Sequence, residues 1–358
     1  MKVLHIINSM GSGGAEKLLS DYLIKSKDDA NITHSLYILT VQNNRFLDRL
    51  IDNSVNLKIS NRSNLYSPLH LIDLFTLIKT EQPNIVHVHL FPAFYYVGLI
   101  SCLFPNIKFV MTEHNTTNRR RLKRLFKFIE ITIYKRFNHI VAISEAVKES
   151  LNKWLEHKCE ISIIYNGIDF EYFSQAEYLD IRSKYNFQKN SLLVIMVASF
   201  TLQKDHKTLI QALKRLPEEY YLLLVGEGSN KLSVQNLVKD LGLSKRVIFM
   251  GFQENIAKLY KSSSIAVLSS HYEGFGLAAL EAMATNIPLI VSDVSGLSEI
   301  VTDKNLRFPV GDSRVLSEKI IHFTRSHIRP NYSDMLSNYS IQAYNNNLLN
   351  LYQSLLSS

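Results

Sequence analysis

The sequence predicts an α/β protein made of two doubly wound parallel-sheet units, and three observations carry that prediction. Short, nearly continuous runs of aliphatic and β-branched residues alternate with longer amphipathic stretches, as expected of parallel strands covered on both faces by helices. The alternation runs through the first half of the chain and then restarts beyond residue 190. The 358 residues suffice for two hydrophobic cores at roughly 150 residues per domain.

In the first half the strand candidates are Val3–Ile7, Ser35–Thr40, Ile85–Val88, Lys108–Thr112 and His139–Ile143. In the second they are Leu192–Ala198, Tyr221–Val225, Val247–Met250, Ile265–Leu268 and Pro288–Ser292, with helices expected over Lys207–Leu216, Asn230–Leu241, Ile256–Ser262 and Gly276–Ala284. The link between the halves carries the turn signal Asn166-Gly167. A last helical pattern covers Ser340–Leu356. Two such units facing each other would form a cleft, and ligands of open α/β sheets bind at the carboxyl ends of strands.

Composition narrows the class. Hydrophobic residues make up 46% and charged residues 20%, which excludes a disordered, collagen-like or disulfide-scaffold protein. The two cysteines, Cys102 and Cys159, lack metal-ligand spacing and read as buried thiols in a reduced cytosol. The amino terminus lacks a signal-peptide pattern, and the longest apolar stretch, Ala93–Phe104, falls short of the ~20 residues a membrane span needs. The expectation is a soluble or peripheral protein.

The formal charge is +8, from 40 basic and 32 acidic residues. It is concentrated: Arg119–Arg136 holds eight basic residues and only Glu130 as an acid. Within it Leu122, Leu125, Phe126 and Ile129 recur at i, i+3, i+4 and i+7, the pattern of an interfacial helix or of a helix docked on a core. We expect Arg119, Arg120, Arg121, Lys123, Arg124 and Lys127 to form a patch for an anionic membrane surface. Nucleic acid is not expected as a partner, since no recognition motif or stacking pattern accompanies the charge.

Five motifs sit where strands end. Asn8-Ser9-Met10-Gly11-Ser12-Gly13-Gly14-Ala15-Glu16 is a glycine loop opening a helix, whose N-terminus favours phosphate. A nicotinamide dinucleotide fits poorly, because Glu16 takes the third glycine position and no acidic residue ends the second strand. His114 follows the strand ending at Thr112, a placement open to either a structural or a catalytic histidine. His87 and His89 share one strand face and read as packing or site-lining residues. Lys204, in the loop after Ala198, supplies a compact charge suited to phosphate. Gly226, in Val225-Gly226-Glu227-Gly228, would let a ligand lie against the backbone. Finally Glu273-Gly274-Phe275-Gly276-Leu277 opens a helix whose first amides, at Phe275, Gly276 and Leu277, would be free for a diphosphate. Glu281, two turns on, can accept from two hydroxyls.

Taken together and in order, these motifs resemble the retaining, nucleotide-sugar-dependent glycosyltransferases of family 4, which have the GT-B fold. The resemblance rests on Gly13-Gly14-Ala15-Glu16, His114, Ile164–Asp169, Gln203-Lys204-Asp205-His206, Val225–Gly228, Gly251-Phe252, Glu273–Glu281, Gly296 with Glu299, and Pro309 with Gly311-Asp312. It covers essentially the whole chain. It implies an acceptor-side domain over 1–168, a nucleotide-sugar domain over 169–338 and a helix over 339–358 that crosses back to the first domain.

The resemblance also implies roles. Gly13 and Gly14 would approach the donor, His114 would contact the transferred sugar, and Lys204 would bind the diphosphate. Glu273 would hold sugar hydroxyls and Glu281 the ribose. The family commonly has an arginine directly after the position of Ala198; here it is Ser199, which offers one neutral hydrogen bond, so leaving-group stabilisation would rest on Lys204 and backbone amides. The chain contains no Asp-x-Asp, and metal-independent transfer is expected, without a cofactor. The expected substrates are a UDP- or GDP-sugar and a glycan or lipid-linked acceptor of surface-polysaccharide synthesis (capsule or O-antigen), on the cytoplasmic face of the membrane. Alternatives are a nucleotide-sugar epimerase of the same fold and, given Ser199, a catalytically weakened binding protein.

Overall fold

The computed structural model describes residues 1–42, 44–116, 119–122, 124–326 and 330–357. The chain divides into two compact units: Met1–Gly167 with Ile341–Ser358, and Ile168–Ser340.

In unit 1 seven strands form one sheet in the order β3-β2-β1-β4-β5-β6-β7. They are β1 (Lys2–Ile7), β2 (Thr33–Ile38), β3 (Leu57–Ile59), β4 (Ile85–His89), β5 (Lys108–Glu113), β6 (His139–Ala142) and β7 (Ile161–Ile163). All neighbours pair in parallel. The apolar runs that predict β1, β4, β5 and β6 are buried along nearly their whole length. Strands β3 and β7 escape prediction because three residues cannot display a period.

The last helix, Ile341–Ser357, belongs to this unit. Its Ile341, Tyr344, Leu348 and Tyr352 are buried at helical spacing. The Tyr344 ring meets Tyr22 of helix Gly14–Lys25 at 5.5 Å, and the Tyr352 hydroxyl lies 2.5 Å from Nδ1 of His87 in β4.

Unit 2 carries a six-stranded parallel sheet in the order β10-β9-β8-β11-β12-β13. The strands are β8 (Leu192–Val197), β9 (Tyr220–Val225), β10 (Val247–Gly251), β11 (Ile265–Leu268), β12 (Leu289–Ser292) and β13 (Arg307–Phe308). Polar side chains begin two helices of this unit: Asp205 accepts from the Thr208 amide and Asp312 from those of Arg314 and Val315. In both sheets the strand order reverses beside the first strand of the unit. The reversal falls between β1 and β4 in unit 1, and between β8 and β11 in unit 2. Loops leaving the sheet on either side of a reversal diverge and leave room for a ligand.

One expectation needs correction. Cys102 is exposed and Cys159 half-buried, both free, so neither is the fully buried thiol expected; Cys102 lies in the 3₁₀ turn Ser101–Leu103 and Cys159 in the connection that precedes β7. Among the described residues no helix is long and apolar enough to cross a membrane.

Candidate functional site

The loops flanking the switch point of unit 2 bring the predicted charges together. Lys204 closes a short 3₁₀ turn after β8, and Glu273 lies in the loop after β11. The Lys204 ammonium donates to Oε1 of Glu273 in an ion pair, although 69 residues separate them. The Ser270 hydroxyl donates to the same oxygen at 2.7 Å, and the Ser292 hydroxyl in turn donates to the Ser270 carbonyl at 2.6 Å. The Ser269 hydroxyl donates to the Asp205 carbonyl at 2.9 Å, and the His271 amide to the Gln203 carbonyl at 2.8 Å. The two loops are therefore one hydrogen-bonded body. Glu273 is buried while Lys204 keeps about a fifth of its side chain exposed, so the ammonium has a solvent-facing side. Ser269, Ser270 and Ser292 carry no signal in the sequence, since serines after a strand are too common to stand out without the fold.

Helix Leu277–Ala284 begins just beyond, with Gly276 as its left-handed N-cap at φ +96°. A side chain there would be strained and would press on Leu297. First-turn amides lack partners inside the helix and carry the positive end of its dipole. Phe275 packs its ring inward at 5.5 Å from Tyr339, so only its backbone is suited to an anion. Leu277 and Ser199 are half-buried and Glu281 is buried. Glu281 raises the pKa of the buried Tyr260 hydroxyl electrostatically, second to burial itself.

Gly226 plays a different part from the one expected. Its φ is +137°, and a Cβ atom there would sit 2.2 Å from the Ala198 carbonyl oxygen. The missing side chain admits the neighbouring loop rather than a ligand. Backbone bonds complete the join, from the Phe200 amide to the Glu227 carbonyl and from Asn230 to Phe200, both 2.9 Å. Gly226→Ala should cost unit 2 roughly 2–3 kcal/mol, read as a lower denaturant midpoint for that unit.

In unit 1 the glycine loop follows β1 at the switch point. Asn8 ties it to the loop after β4, donating to the Phe91 carbonyl at 2.6 Å and accepting from the Ala93 amide at 3.1 Å. Gly13 caps helix Gly14–Lys25 in an extended conformation open to any residue. The Glu16 carboxylate lies over it, 2.4 Å from where a Cβ would stand, and burial raises the Glu16 pKa. A donor approaching Gly13 would have to displace that side chain; Gly14 is exposed.

His114 sits just past β5, half-buried, with Nε2 3.3 Å from Nδ1 of His89. Its Nδ1 is buried without a protein partner. Burial lowers its pKa to about 4, so the ring is neutral near pH 7. Neighbouring His5, His87 and His89 present ring nitrogens within 4.8 Å of one another. Each of those nitrogens already has a hydrogen-bond partner inside the protein, so the group is knit by hydrogen bonds. Glu113, the one carboxylate beside His114, is also engaged. It accepts from the Tyr134 hydroxyl at 2.7 Å, from Arg121 at 3.1 Å and from the Asn115 amide at 3.1 Å.

Comparison with known families decides what these two switch-point sites belong to. Residues 31–172 match the model of "Glycosyltransferase Family 4" and residues 178–343 that of "Glycosyl transferases group 1". The chain is a GT-B glycosyltransferase of the family 4 type.

The transferase is 28% identical to an N-acetyl-alpha-D-glucosaminyl L-malate synthase of Bacillus anthracis, over 69% of this chain and 67% of that one. It is 31% identical to the UDP-Gal:alpha-D-GlcNAc-diphosphoundecaprenol alpha-1,3-galactosyltransferase of Escherichia coli, over 65% and 64%. The match spans 44% and 42% of two further glycosyltransferase relatives. Among solved structures, HepE of Anabaena in complex with UDP-glucose superposes with a TM-score of 0.84 at 19% identity, over 99% of this chain and all of the other. That likeness speaks for the fold. Because the relatives are transferases, the epimerase alternative is not favoured.

The basic segment of the transferase differs from expectation. Arg120 bonds the fully buried Glu130 at 2.6 Å and stacks over the Phe91 ring at 3.8 Å. Arg121 is buried against Glu113, and Lys127 pairs with Glu156 at 2.7 Å. Glu130 also accepts from the Trp154 indole at 2.6 Å. Arg120 and Arg121 therefore leave the surface patch: their charges neutralise buried carboxylates. Lys123 and the side chains of Arg119, Leu122, Arg124 and Leu125 lie outside the described residues. The buried stripe of helix Arg124–Tyr134 is Glu130, Ile131, Ile133 and Tyr134, while Ile129 of the expected stripe is exposed.

Proposed function

We propose that this glycosyltransferase moves a sugar, with retention and without a metal ion, from a nucleoside-diphosphate sugar to a lipid-linked glycan acceptor. The observation that carries the reading is the Lys204–Glu273 pair at the switch point of unit 2, directly before the N-terminus of helix Leu277–Ala284. When the bond between the anomeric carbon and the β-phosphate oxygen breaks, negative charge develops on the diphosphate. Lys204 turns from Glu273 to that charge, and the first-turn amides add their dipole. Glu273, released and fixed by Ser270, accepts from sugar hydroxyls. The acceptor oxygen enters from the face the diphosphate leaves, and its proton passes to a phosphate oxygen. Engagement of both Glu113 oxygens supports this front-face route over a glycosyl-enzyme. The relative from Escherichia coli is named for UDP-galactose and a diphosphoundecaprenol acceptor, which supports UDP and a polyprenyl diphosphate as the first substrates to try.

The test is transfer from radiolabelled UDP-sugars to polyprenyl-diphosphate-linked N-acetylhexosamine, with and without EDTA. Product at an unchanged rate in EDTA is expected; full loss with rescue by Mn²⁺ would overturn metal independence, and no product with any donor would overturn the transfer reading.

We further propose peripheral contact with the membrane that holds such an acceptor. Phe128 is 75% exposed and Ile129 is exposed beside it; Leu99 and Leu103 are exposed on the adjoining helical segment, which packs on this helix through Gly98 against Ile133. In flotation with vesicles of anionic phospholipid, Phe128→Asp should sediment away from the lipid fraction while the unaltered protein floats. Equal flotation of both would remove this surface from the reading.

A further inference from the structure

Four imidazoles run in a line through unit 1. His34 Nδ1 is bonded to His5 Nε2 at 3.1 Å, His5 Nδ1 to His89 Nε2 at 3.4 Å, and His89 Nδ1 to His114 Nε2 at 3.3 Å. The strands explain the line. His34 is paired with Val3 and His5 with His87 in the sheet register. Alternation along strands then sets His34, His5, His87 and His89 on one face. Helix Gly14–Lys25 covers this face through Tyr22, whose ring meets His5 at 5.6 Å and His34 at 5.0 Å. The two ends of the line, His34 Nε2 and His114 Nδ1, are buried without a protein partner. His87 stands beside the line, its nitrogens bonded to Tyr352 and Thr112.

A neutral imidazole has one N–H and one bare nitrogen. Three bonds between four neutral rings can all be satisfied in two ways only: every N–H points towards His114, or every N–H points away. Any mixture sets two N–H groups, or two bare nitrogens, against each other, which is costly in a buried site. We propose that His5, His89 and His34 are positioning residues that act as one unit to set which nitrogen of His114 carries its proton. In the first arrangement His114 Nδ1 is a donor; in the second it is an acceptor. Passage between them takes one proton up at one end and gives one up at the other, with every ring neutral before and after. Burial of all four rings, which holds each below its ordinary pKa, favours the uncharged states this requires. The bearing of this on catalysis rests on the expectation that His114 contacts the transferred sugar, with its unpartnered Nδ1 as the atom that does so, but the test does not.

The test is ¹⁵N NMR of histidine-labelled protein, in which the Nδ1 and Nε2 shifts report the tautomer of each ring. His34→Phe alters the end near the unit's edge, three rings from His114, and His5→Phe breaks the line at its second ring; thermal melting checks that each is folded. The unaltered protein should show one correlated tautomer set for all four rings. Each folded variant should shift His114 towards the other tautomer or split its resonances, while Tyr352→Phe, which removes a hydroxyl bonded to His87 and Tyr22 but to no ring of the line, should leave them in place. An unchanged His114 pattern in folded His34→Phe and His5→Phe would overturn the proposal, as would His114 and His89 resonances typical of charged rings at pH 7. A His114→Phe variant with full transfer activity would instead sink the sugar-contact reading and leave the NMR result standing.

Discussion

Lys204→Ala should lower kcat for sugar transfer by about 10²–10³-fold, the scale seen when one preorganised charge-stabilising group is removed. The family's usual arginine is Ser199 here, so the diphosphate loses the cation this loop supplies and retains neutral donors and helix amides. The same substitution also strips the counter-charge from the buried carboxylate of Glu273, which makes lost folding a rival explanation. The double variant Lys204→Ala with Glu273→Gln separates the two. It removes the unpaired charge and should recover the melting temperature without recovering activity. Calorimetric titration with UDP should show weaker binding in both variants. Transfer within about fivefold of the unaltered enzyme in Lys204→Ala, far short of what loss of such a group brings, would remove Lys204 from the mechanism.

Mild acid should unfold unit 1 well before unit 2. In unit 1, His5, His34, His70, His87, His89, His114 and His139 all lie below the ordinary histidine pKa, with burial as the leading cause, two of them down to about 4. Among the described residues of unit 2 only His206 is so placed, stacked on Phe200 at 4.3 Å. A histidine whose folded pKa is depressed takes up a proton on unfolding. Its stabilising share is full above about pH 6.5 and is lost as the pH falls towards 4, at about 1.4 kcal/mol per pH unit for each proton. Two or three such protons remove about 6–8 kcal/mol within about two pH units, enough to unfold a domain at the lower end of the roughly 5–15 kcal/mol range. Carboxylates paired with cations, such as Asp73 and Glu81, respond only at lower pH, since their partners hold them below the usual range. Calorimetry at pH 7 and pH 5 should show the transition of unit 1 falling by more than that of unit 2; equal displacement would refute the account.

The fold was legible because buried parallel strands leave long aliphatic runs, and ten of these sit at or within two residues of the observed strands. The three strands missed are two or three residues long and all lie at sheet edges, where pairing rather than composition makes the strand. Within the site, Lys204 and Glu273 could be named from their motifs, yet their mutual contact comes from sheet order, which places β8 beside β11. The basic run misled because charge counts do not show direction: Arg120 and Arg121 face buried acids contributed by Glu130 and Glu113. Gly226 misled for a related reason, since a glycine that admits a ligand and one that admits a neighbouring carbonyl look alike in sequence. His34 and His5 give no signal beyond single histidines in apolar strands; only the registers of β1 with β2 and with β4 join them, through His89, to His114.

The helix Ile341–Ser357 is made after all of unit 2, yet it fills a face of unit 1. A nascent chain therefore carries residues 1–167 with Tyr22 lacking Tyr344 and His87 lacking Tyr352 while residues 168–340 emerge and become able to fold. The second unit is, in effect, an insertion in the first. During synthesis the later-made half can reach its native core before the earlier one, and a ribosome stalled before residue 341 would hold a finished six-stranded sheet and an unfinished seven-stranded unit, a natural substrate for chaperones.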